Sequence, residues 1–302
     1  MGSTKIVLGA SINLTRSAMW LSVLVMTWGV LGSSVYAQRQ MDKLDRGLVA
    51  VQAGPGEVYV SWRLLKDDPK DLAFNVYRQA EGTAQAVRLN DRPISKTCDF
   101  TDRGVSRGRY VYSLRAVKGG KEEQSGPSFT LEVTDKPQPY VSIKLQGDHT
   151  FQKVGIADLN GDGSLDIVIK QPNQNIDPYE KYWKPSPSTY KLEAYTLDGK
   201  MRWRYDLGWA IEQGIWYSPY IVYDLDGDGK AEVAVKTGEG DPRDSDGRVQ
   251  SGPEYLTILD GETGKPVTRT DWPSRELFPS YNYASRNQLA VAYLDGKTPS
   301  LI

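Results

Sequence analysis

Length, composition and charge exclude several classes of protein. The chain has 302 residues, and its 37 Lys and Arg nearly balance its 38 Asp and Glu, so no overall basic field favours nucleic acid. A single Cys excludes the disulfide framework of a small secreted scaffold. The 29 Gly and 17 Pro beside 39% hydrophobic residues are typical of a turn-rich chain that buries a core. We therefore predict an all-β fold and no nucleic-acid partner.

The segment 1–37 has the features of a signal peptide. Lys5 and Arg16 are its only charged residues, and its apolar stretch at 18–31 is too short for a comfortable membrane span. The triplet VYA at 35–37 places small residues at the positions that a signal peptidase reads. We predict cleavage after this triplet, a secreted or periplasmic protein, and no stable membrane span. The alternative is an uncleaved anchor.

Residues 38–136 contain three segments in which apolar and polar side chains alternate, at 57–65, 72–80 and 109–117. Turn sequences rich in Gly, Pro and Asp separate them, as expected of short antiparallel strands. We predict a β-sandwich over 38–136. The pattern of its large apolar side chains resembles the core of fibronectin type III domains, and the predicted core members are Trp62, Tyr77, Tyr110, Tyr112, Leu114 and Ala116.

Residues 137–302 contain an internal repeat. The sequence GIADLNGDGSLDIVIK at 155–170 matches IVYDLDGDGKAEVAVK at 221–236, with the first acidic residues 66 positions apart. A weaker third copy, VAYLDGKTPSLI, occupies 291–302. Repetition on this scale predicts stacked supersecondary units, here blades of a β-propeller with long insertions. Three copies are too few to close a ring, so we expect an incomplete propeller and the N-terminal portion of a longer protein.

Two acidic loops in the repeat have the spacing of a cation site. Each places oxygen ligands at positions 1, 3, 5 and 9 of a tight turn, with Gly at position 6 for the sharp bend. A flexible loop of oxygen ligands suits Ca²⁺, and the near absence of His and Cys disfavours zinc or copper. We predict a Ca²⁺ cofactor with eight ligands: Asp158, Asn160, Asp162 and Asp166 in the first metal loop, and Asp224, Asp226, Asp228 and Glu232 in the second.

The residues of the two loops also allow a comparison with alternatives to the predicted Ca²⁺ site. An EF-hand requires Glu at position 12, where the two loops have Ile169 and Val235, and both loops run into strand-like sequences. The alternative for either loop is an acidic turn without metal, and structural use is the default role of such an ion. The third copy has Tyr293 and Lys297 where the first and third acidic ligands would be, so we expect no ion there.

Polar and aromatic insertions follow the repeated strands and suit a sugar polymer, because aromatic faces stack on pyranose rings. The first insertion also contains Tyr179 and Tyr182, and His149 lies ahead of the first metal loop, where a turn residue is expected. The alternatives are core packing for the aromatic side chains and a solvated strand end for the lysines. The predicted substrate-binding candidates are Lys170, Lys236, Trp183, Trp216, Tyr217 and Glu239.

Three segments in this order resemble polysaccharide lyase family 11, the rhamnogalacturonan lyases: YDLDGDGKAEVAVKT at 223–237, SGPEYLTILDGETGK at 251–265, and the copy at 291–302. The preceding sandwich is similar to the N-terminal β-sheet domain of that family. The resemblance implies an eight-bladed, calcium-stabilised propeller that cleaves rhamnogalacturonan I of pectin by β-elimination at galacturonate. It also implies that the eight loop residues are metal ligands.

The resemblance leaves the catalytic base unassigned. Elimination requires that charge on the uronate carboxylate be neutralised, and Lys170 and Lys236 are the repeat-matched cations that we predict for this contact. We expect a pectic polysaccharide as partner, a monomer when the protein is complete, and a portion that need not be active alone. The alternative is a non-catalytic, integrin-type calcium propeller for glycan binding or adhesion.

Overall fold

We describe residues 43–302 of the chain from a computed structural model, so the predicted signal peptide lies outside the described residues. Helical structure in this part is limited to the α-helix α1 (Tyr281–Ala284) and two 3-10 helices, Glu180–Tyr182 and Arg275–Leu277. The remainder is strands and connections, which confirms the predicted all-β class. No helix within 43–302 has the length and apolar character that crossing a membrane requires.

Residues 43–133, the first region, form two antiparallel sheets. Their strands in chain order are β1 (Val49–Gly54), β2 (Glu57–Ser61), β3 (Ala73–Ala80), β4 (Val87–Arg88), β5 (Asp99–Arg103), β6 (Gly108–Lys118), β7 (Lys121–Glu122) and β8 (Ser128–Val133). One sheet has the order β1-β2-β5, and the other has the order β4-β3-β6-β7 with β8 also paired to β6. The three predicted segments are confirmed as β2, β3 and β6, although β2 ends at Ser61.

Both sheets of the first region share one apolar core. Val60 of β2, Val76 of β3 and Tyr112 of β6 are buried in it. Trp62 packs on Phe74 with ring centroids 5.5 Å apart. Along β2 and β6, alternation therefore directs every second side chain inward, as the sequence pattern indicates, whereas β3 is buried on both faces over 73–76.

Tyr77 is the exception among the predicted core residues. Its side chain is only partly buried, its hydroxyl donates to Glu122 at 2.8 Å, and Arg115 covers its ring at 4.2 Å. Successive side chains of a strand point to opposite faces, and Val76 occupies the inward position of β3. The prediction of Tyr77 as core was therefore wrong by one residue of register.

The second region contains two antiparallel sheets of four strands each. Their strands are β9 (Lys153–Ala157), β10 (Asp166–Gln171), β11 (Lys191–Thr196), β12 (Met201–Asp206), β13 (Tyr220–Tyr223), β14 (Glu232–Gly238), β15 (Glu254–Leu259) and β16 (Pro266–Asp271). Each sheet is a simple meander, and both have a register shift at the corresponding place, within the pairing of the third strand with the fourth (β11 with β12, and β15 with β16). A short hairpin of β17 (Val291–Ala292) and β18 (Ser300–Leu301) follows.

Backbone and side-chain contacts join the two meanders. The Tyr220 hydroxyl donates to the carbonyl of Val168 at 2.9 Å, and Trp203 Nε1 donates to the carbonyl of Gly261 at 2.7 Å. At Gly155 of β9 an added Cβ would lie 2.3 Å from Cγ2 of Val222 in β13. The absence of a side chain at Gly155 thus allows the first strands of the two meanders to approach closely.

The first region contacts the second at the first metal loop. The backbone N–H of Asp45 donates to the carbonyl of Gly163 at 2.7 Å. Gly163 has φ +87°, and an added Cβ there would lie 3.0 Å from that same nitrogen. Glycine is required at this position both for its left-handed backbone and for this approach.

Candidate functional site

The second metal loop, 224–232, connects β13 to β14 and brings three carboxylates together. Asp224 is buried and accepts the backbone N–H groups of Gly227 at 2.7 Å and Gly229 at 3.0 Å. One oxygen each of Asp224, Asp226 and Glu232 lie within 4.8 Å of one another. Gly229, at position 6, has φ +94°, as the sharp turn requires. A hard cation such as Ca²⁺ fits this all-oxygen set.

Electrostatics at this loop also favour a cation. Burial, together with repulsion by Asp226 and Asp224, raises the pKa of Glu232 to about 7. Glu232 Oε2 accepts the backbone N–H of Leu225 at 2.8 Å. Because a bound divalent ion would favour the ionised carboxylate, ion binding and ionisation of Glu232 would stabilise each other.

The first metal loop, 158–166, has the same backbone design. Asp158 accepts the N–H groups of Gly161 at 2.8 Å and Gly163 at 2.7 Å, which matches the bonds of Asp224. The Nδ2 of Asn160 donates to Asp162 at 3.0 Å, and its Oδ1 is buried without a hydrogen-bond partner. An unpartnered acceptor beside carboxylates fits a cation ligand.

Arg202 of β12 enters the first metal loop, which sequence reasoning missed. Its Nε donates to Asp166 Oδ1 at 3.0 Å, and its terminal nitrogen lies 3.7 Å from Asp162 Oδ2. Burial raises the pKa of Asp166, and the guanidinium opposes that shift. In the part of the chain that the structure describes, only the second loop gathers three carboxylates within 4.8 Å. No repeat position marks Arg202 in the sequence.

The turn between β17 and β18, in the third copy of the repeat, is stabilised by hydrogen bonds to its own backbone N–H groups. Asp295 accepts the N–H groups of Lys297 at 2.8 Å and Thr298 at 2.7 Å. These bonds lower the pKa of Asp295 to about 2. The Tyr293 hydroxyl, at position 1, lies 2.8 Å from that of Tyr223. The expectation that this turn holds no ion stays a prediction.

Long connections gather at the sheet edge opposite the metal loops. They follow β10, β12, β14 and β16, which all run toward that edge in their antiparallel sheets. We call these segments the loop edge: 172–190, 207–219, 239–253 and 272–290. The metal loops therefore lie at one end of the strands and the insertions at the other.

Lys170 and Lys236 are buried in strands behind the loop edge, with 0% and 1% of their surface exposed. Lys170 Nζ donates to the carbonyl of Ser218 at 2.8 Å and lies 4.8 Å from the centre of the Tyr190 ring. Burial, assisted by nearby Lys153, lowers the pKa of Lys170 to about 7. The alternative of a solvated strand end is therefore wrong for both lysines.

Lys236 differs from Lys170 in having a counter-charge. Its Nζ lies 2.8 Å from Glu254 Oε1, and Arg275 also donates to this oxygen at 2.7 Å. Burial lowers the pKa of Lys236, and Glu254 opposes that shift. The same repeat position thus holds a paired lysine in one sheet and, in the other, a lysine whose described contacts include no carboxylate.

The predicted aromatic candidates divide between core and surface. Tyr217 is buried in the core, as the packing alternative expects. Trp183 and Trp216 are partly exposed, and Arg248 and Arg286 cover their rings at 4.2 and 4.9 Å. The remaining candidates are Glu239, which is exposed and ion-paired with Arg269, and the exposed Tyr179 and Tyr182, whose ring centroids lie 6.0 Å apart.

His149 lies ahead of β9 and close to Glu193. Its Nε2 is 3.4 Å from Glu193 Oε2 but forms no hydrogen bond, because the geometry is poor at that distance. Glu193 is instead satisfied by Tyr195, Gln171 and Arg204. His149 directly follows a bend at 146–148, and the expectation of a turn residue stays a prediction.

Glu212 is the centre of a buried polar cluster that sequence reasoning also missed. Its Oε1 accepts the backbone N–H of Val249 at 2.8 Å and the hydroxyl of Tyr281. The Tyr281 hydroxyl also accepts from Trp183 Nε1 at 3.0 Å. Burial raises the pKa of Glu212. One carboxylate therefore ties together all four segments of the loop edge.

Comparison with known proteins covers both regions. The model of the rhamnogalacturonan lyase family 11 C-terminal domain matches 146–302, and that of the rhamnogalacturonan I lyase beta-sheet domain matches 39–131. Rhamnogalacturonan endolyase YesW of Bacillus subtilis strain 168 is 35% identical over 95% of this chain and 50% of its own length. Rhamnogalacturonan exolyase YesX of the same strain is 34% identical over 88% of this chain and 46% of its own length.

A solved structure agrees with these matches. The Bacillus licheniformis rhamnogalacturonan lyase PL11 superposes with a TM-score of 0.74 at 37% identity, covering 87% of this chain and 48% of that one. The chain thus spans about half the length of the curated relatives that it matches. With one family model covering more than half of its residues and a second covering most of the rest, the chain belongs to rhamnogalacturonan lyase family 11.

Proposed function

We propose that the protein is a secreted, calcium-dependent polysaccharide lyase that cleaves rhamnogalacturonan I by β-elimination. The observation that carries this proposal is the family membership, supported by relatives named as rhamnogalacturonan endolyase and exolyase. Secretion rests on the charge and apolar pattern of residues 1–37. Calcium rests on the oxygen ligands of the two metal loops.

The proposed architecture is a fibronectin type III-like sandwich followed by successive propeller blades. Two sheets around one core support the sandwich, with proposed bounds of 38–136. For the blades, over 137–302, the support is the four-stranded meander, its repetition, and the contact of β9 with β13 through Gly155 and Val222. Adjacent first strands are the arrangement that a radial array of blades requires.

The proposed substrate surface is the loop edge. Tyr179, Tyr182 and Tyr283 are exposed there, and their faces can stack on sugar rings. Lys181 and Arg286 stand beside them, Lys181 over the Tyr182 ring at 5.4 Å and Arg286 bonded to Asp177 at 2.8 Å. A galacturonate polymer is anionic, so cations among aromatic faces match its chemistry.

Among the predicted substrate candidates, we assign direct contact to the partly or fully exposed residues Trp183, Trp216 and Glu239. Lys170, Lys236 and Tyr217 lie beneath the surface and support the loop edge from within. A buried ammonium cannot reach a polymer that the loops hold at the surface.

β-Elimination requires a base and a cationic group at this surface. A base removes the proton α to the uronate carboxylate, an electron pair forms the new C=C bond, and the glycosidic C–O bond breaks at the leaving oxygen. Negative charge grows on the carboxylate, so Arg286 and Lys181 are the cations that we propose to neutralise it. Asp224, Asp226 and Glu232 of the second metal loop would hold calcium at the opposite end of the strands, where the ion would neutralise the charge of that turn.

An absorbance assay tests the proposal. Full-length protein is incubated with rhamnogalacturonan I, with calcium and with chelator, and the ultraviolet absorbance of unsaturated uronate is followed. We expect a gain with calcium that is reduced after chelation. The Tyr179→Ala/Tyr182→Ala double variant should bind and cleave more weakly than the matched Tyr59→Ala control in the first region. Binding of the polymer without any absorbance gain would favour the non-catalytic glycan-binding alternative instead.

A further inference from the structure

The two metal loops differ in a contact that their matching sequences conceal. Position 9 is Asp166 in the first loop and Glu232 in the second. In each loop, one oxygen of this carboxylate accepts the backbone N–H of position 2, from Leu159 at 3.3 Å and from Leu225 at 2.8 Å. The remaining oxygen is therefore the one available to a cation.

The remaining oxygen has a different partner in each loop. In the first loop Arg202 Nε donates to Asp166 Oδ1 at 3.0 Å, and the same guanidinium reaches to 3.7 Å from Asp162. In the second loop Glu232 forms no ion pair within 43–302, and one of its oxygens lies within 4.8 Å of Asp224 and Asp226 oxygens. In the first loop a cationic side chain, Arg202, therefore bonds the carboxylate at position 9. In the second loop no described cationic side chain pairs with the carboxylate at position 9.

Strand register identifies the residue that stands in for Arg202 in the second sheet. Trp203 pairs with Ala194, and after the register shift Met201 pairs with Tyr195. In the second sheet Thr268 pairs with Ile258, and Pro266 with Leu259. Arg202 therefore corresponds to Val267, whose side chain is 67% exposed.

We propose that Arg202 is a built-in counter-cation of the first metal loop, so this loop binds Ca²⁺ at least about tenfold more weakly than the second. The inference rests on the proposed calcium binding. The first loop has three carboxylates, a neutral Asn160 and the Arg202 guanidinium, whereas the second has four carboxylates and a Lys230 whose Nζ bonds Glu262 outside the loop at 3.1 Å. Cation affinity of such loops follows ligand charge, and a guanidinium both occupies a ligand oxygen and repels the ion.

The reciprocal exchange of residues provides the test. Calcium binding to the chelator-stripped, full-length protein is measured by isothermal titration, and the melting temperature is followed against calcium concentration. Val267→Arg should weaken the tightest binding by about tenfold or more, whereas the uncharged control Val267→Leu should leave it unchanged. Arg202→Val should add one tightly bound ion. Since Val267 is exposed, Val267→Arg tests the idea even if Arg202→Val does not fold.

Two ligand variants at position 5 separate the possible failures. Asp228→Asn should remove the tightest binding, and Asp162→Asn should not. If Asp228→Asn acts as expected but Val267→Arg behaves like Val267→Leu, the role of Arg202 is refuted and calcium binding stands. If neither Asp228→Asn nor Asp162→Asn changes the bound calcium, the proposal of calcium in these loops is itself overturned.

Discussion

Replacement of Lys170 by Met should stabilise the protein near neutral pH. Lys170 is fully buried, and its described contacts are one carbonyl, from Ser218 at 2.8 Å, and the face of Tyr190. A buried ammonium normally requires a carboxylate partner, and no ion pair of Lys170 occurs within residues 43–302. Methionine has nearly the same length and needs no counter-charge.

The magnitude follows from the pKa shift of Lys170. Its pKa falls from 10.5 in the unfolded chain to about 7 in the folded protein. Between these values the unfolded chain binds more protons, so stability rises with pH from about 7 to 10.5 and is flat below 7. At roughly 1.4 kcal/mol per pH unit, burying the charged form costs about 5 kcal/mol below pH ~7. Loss of the bond to Ser218 offsets about 1 kcal/mol of the gain.

Urea unfolding of the full-length protein from pH ~6 to ~9 measures this effect. We expect Lys170→Met to exceed wild type in free energy of unfolding by about 4 kcal/mol at the acidic end, with the difference narrowing to about 1 kcal/mol at the alkaline end. Lys236→Met is the matched control, because its lysine is paired with Glu254, and it should destabilise at both ends. Destabilisation by Lys170→Met near pH ~6, or a difference that does not narrow with pH, would refute the reasoning.

Further predictions concern the sheet contact, the loop edge, a buried indole and export. Gly155→Ala should cost about 1–3 kcal/mol because its Cβ would overlap Val222, whereas Gly54→Ala, with only a 3.8 Å contact, should be nearly neutral in the same unfolding assay. Glu212→Ala should lower the free energy of unfolding by about 2 kcal/mol and speed proteolysis of 239–253, because Tyr281 and Val249 lose their hydrogen-bond acceptor. Glu212→Gln should lower the free energy of unfolding by less, and an equal loss of stability in the two variants would contradict this explanation. Trp203→Phe should cost about 1–2 kcal/mol through the unpaired Gly261 carbonyl, which thermal melts can check. The exported protein should begin at Gln38 by N-terminal sequencing, and an intact Met1 would exclude cleavage.

Local patterns were sufficient to predict much of the fold. The all-β class, β2, β3 and β6, and the turn at the two metal loops all depend on residues close together in sequence. Such features follow from side-chain alternation and from Gly at a position of positive φ, as at Gly229. Tyr77 was misassigned because a shift of one residue moves a side chain to the opposite face.

Long-range contacts account for what could not be predicted. Arg202 reaches Asp166 only because a register shift places it over the loop, 36 residues away in sequence. Glu212 meets Tyr281 across 69 residues, through loops without regular pattern. The burial of Lys170 also depends on segments folded over its strand, since a lysine at a strand end is usually solvated. Neither the periodicity of side chains nor the spacing of motifs predicts these long-range contacts.

The contiguity of each meander has a consequence for synthesis on the ribosome. All four strands of the first meander come from 153–206, and all four of the second from 220–271. Each sheet can therefore pair its strands as soon as its own segment has emerged, without waiting for distant chain. During that interval β9 is the edge strand of the first meander without β13 beside it, and its Val154 and Ile156 are exposed even in the folded structure. Lys153, at the start of this strand, places a positive charge on the edge and thereby opposes its pairing with other chains.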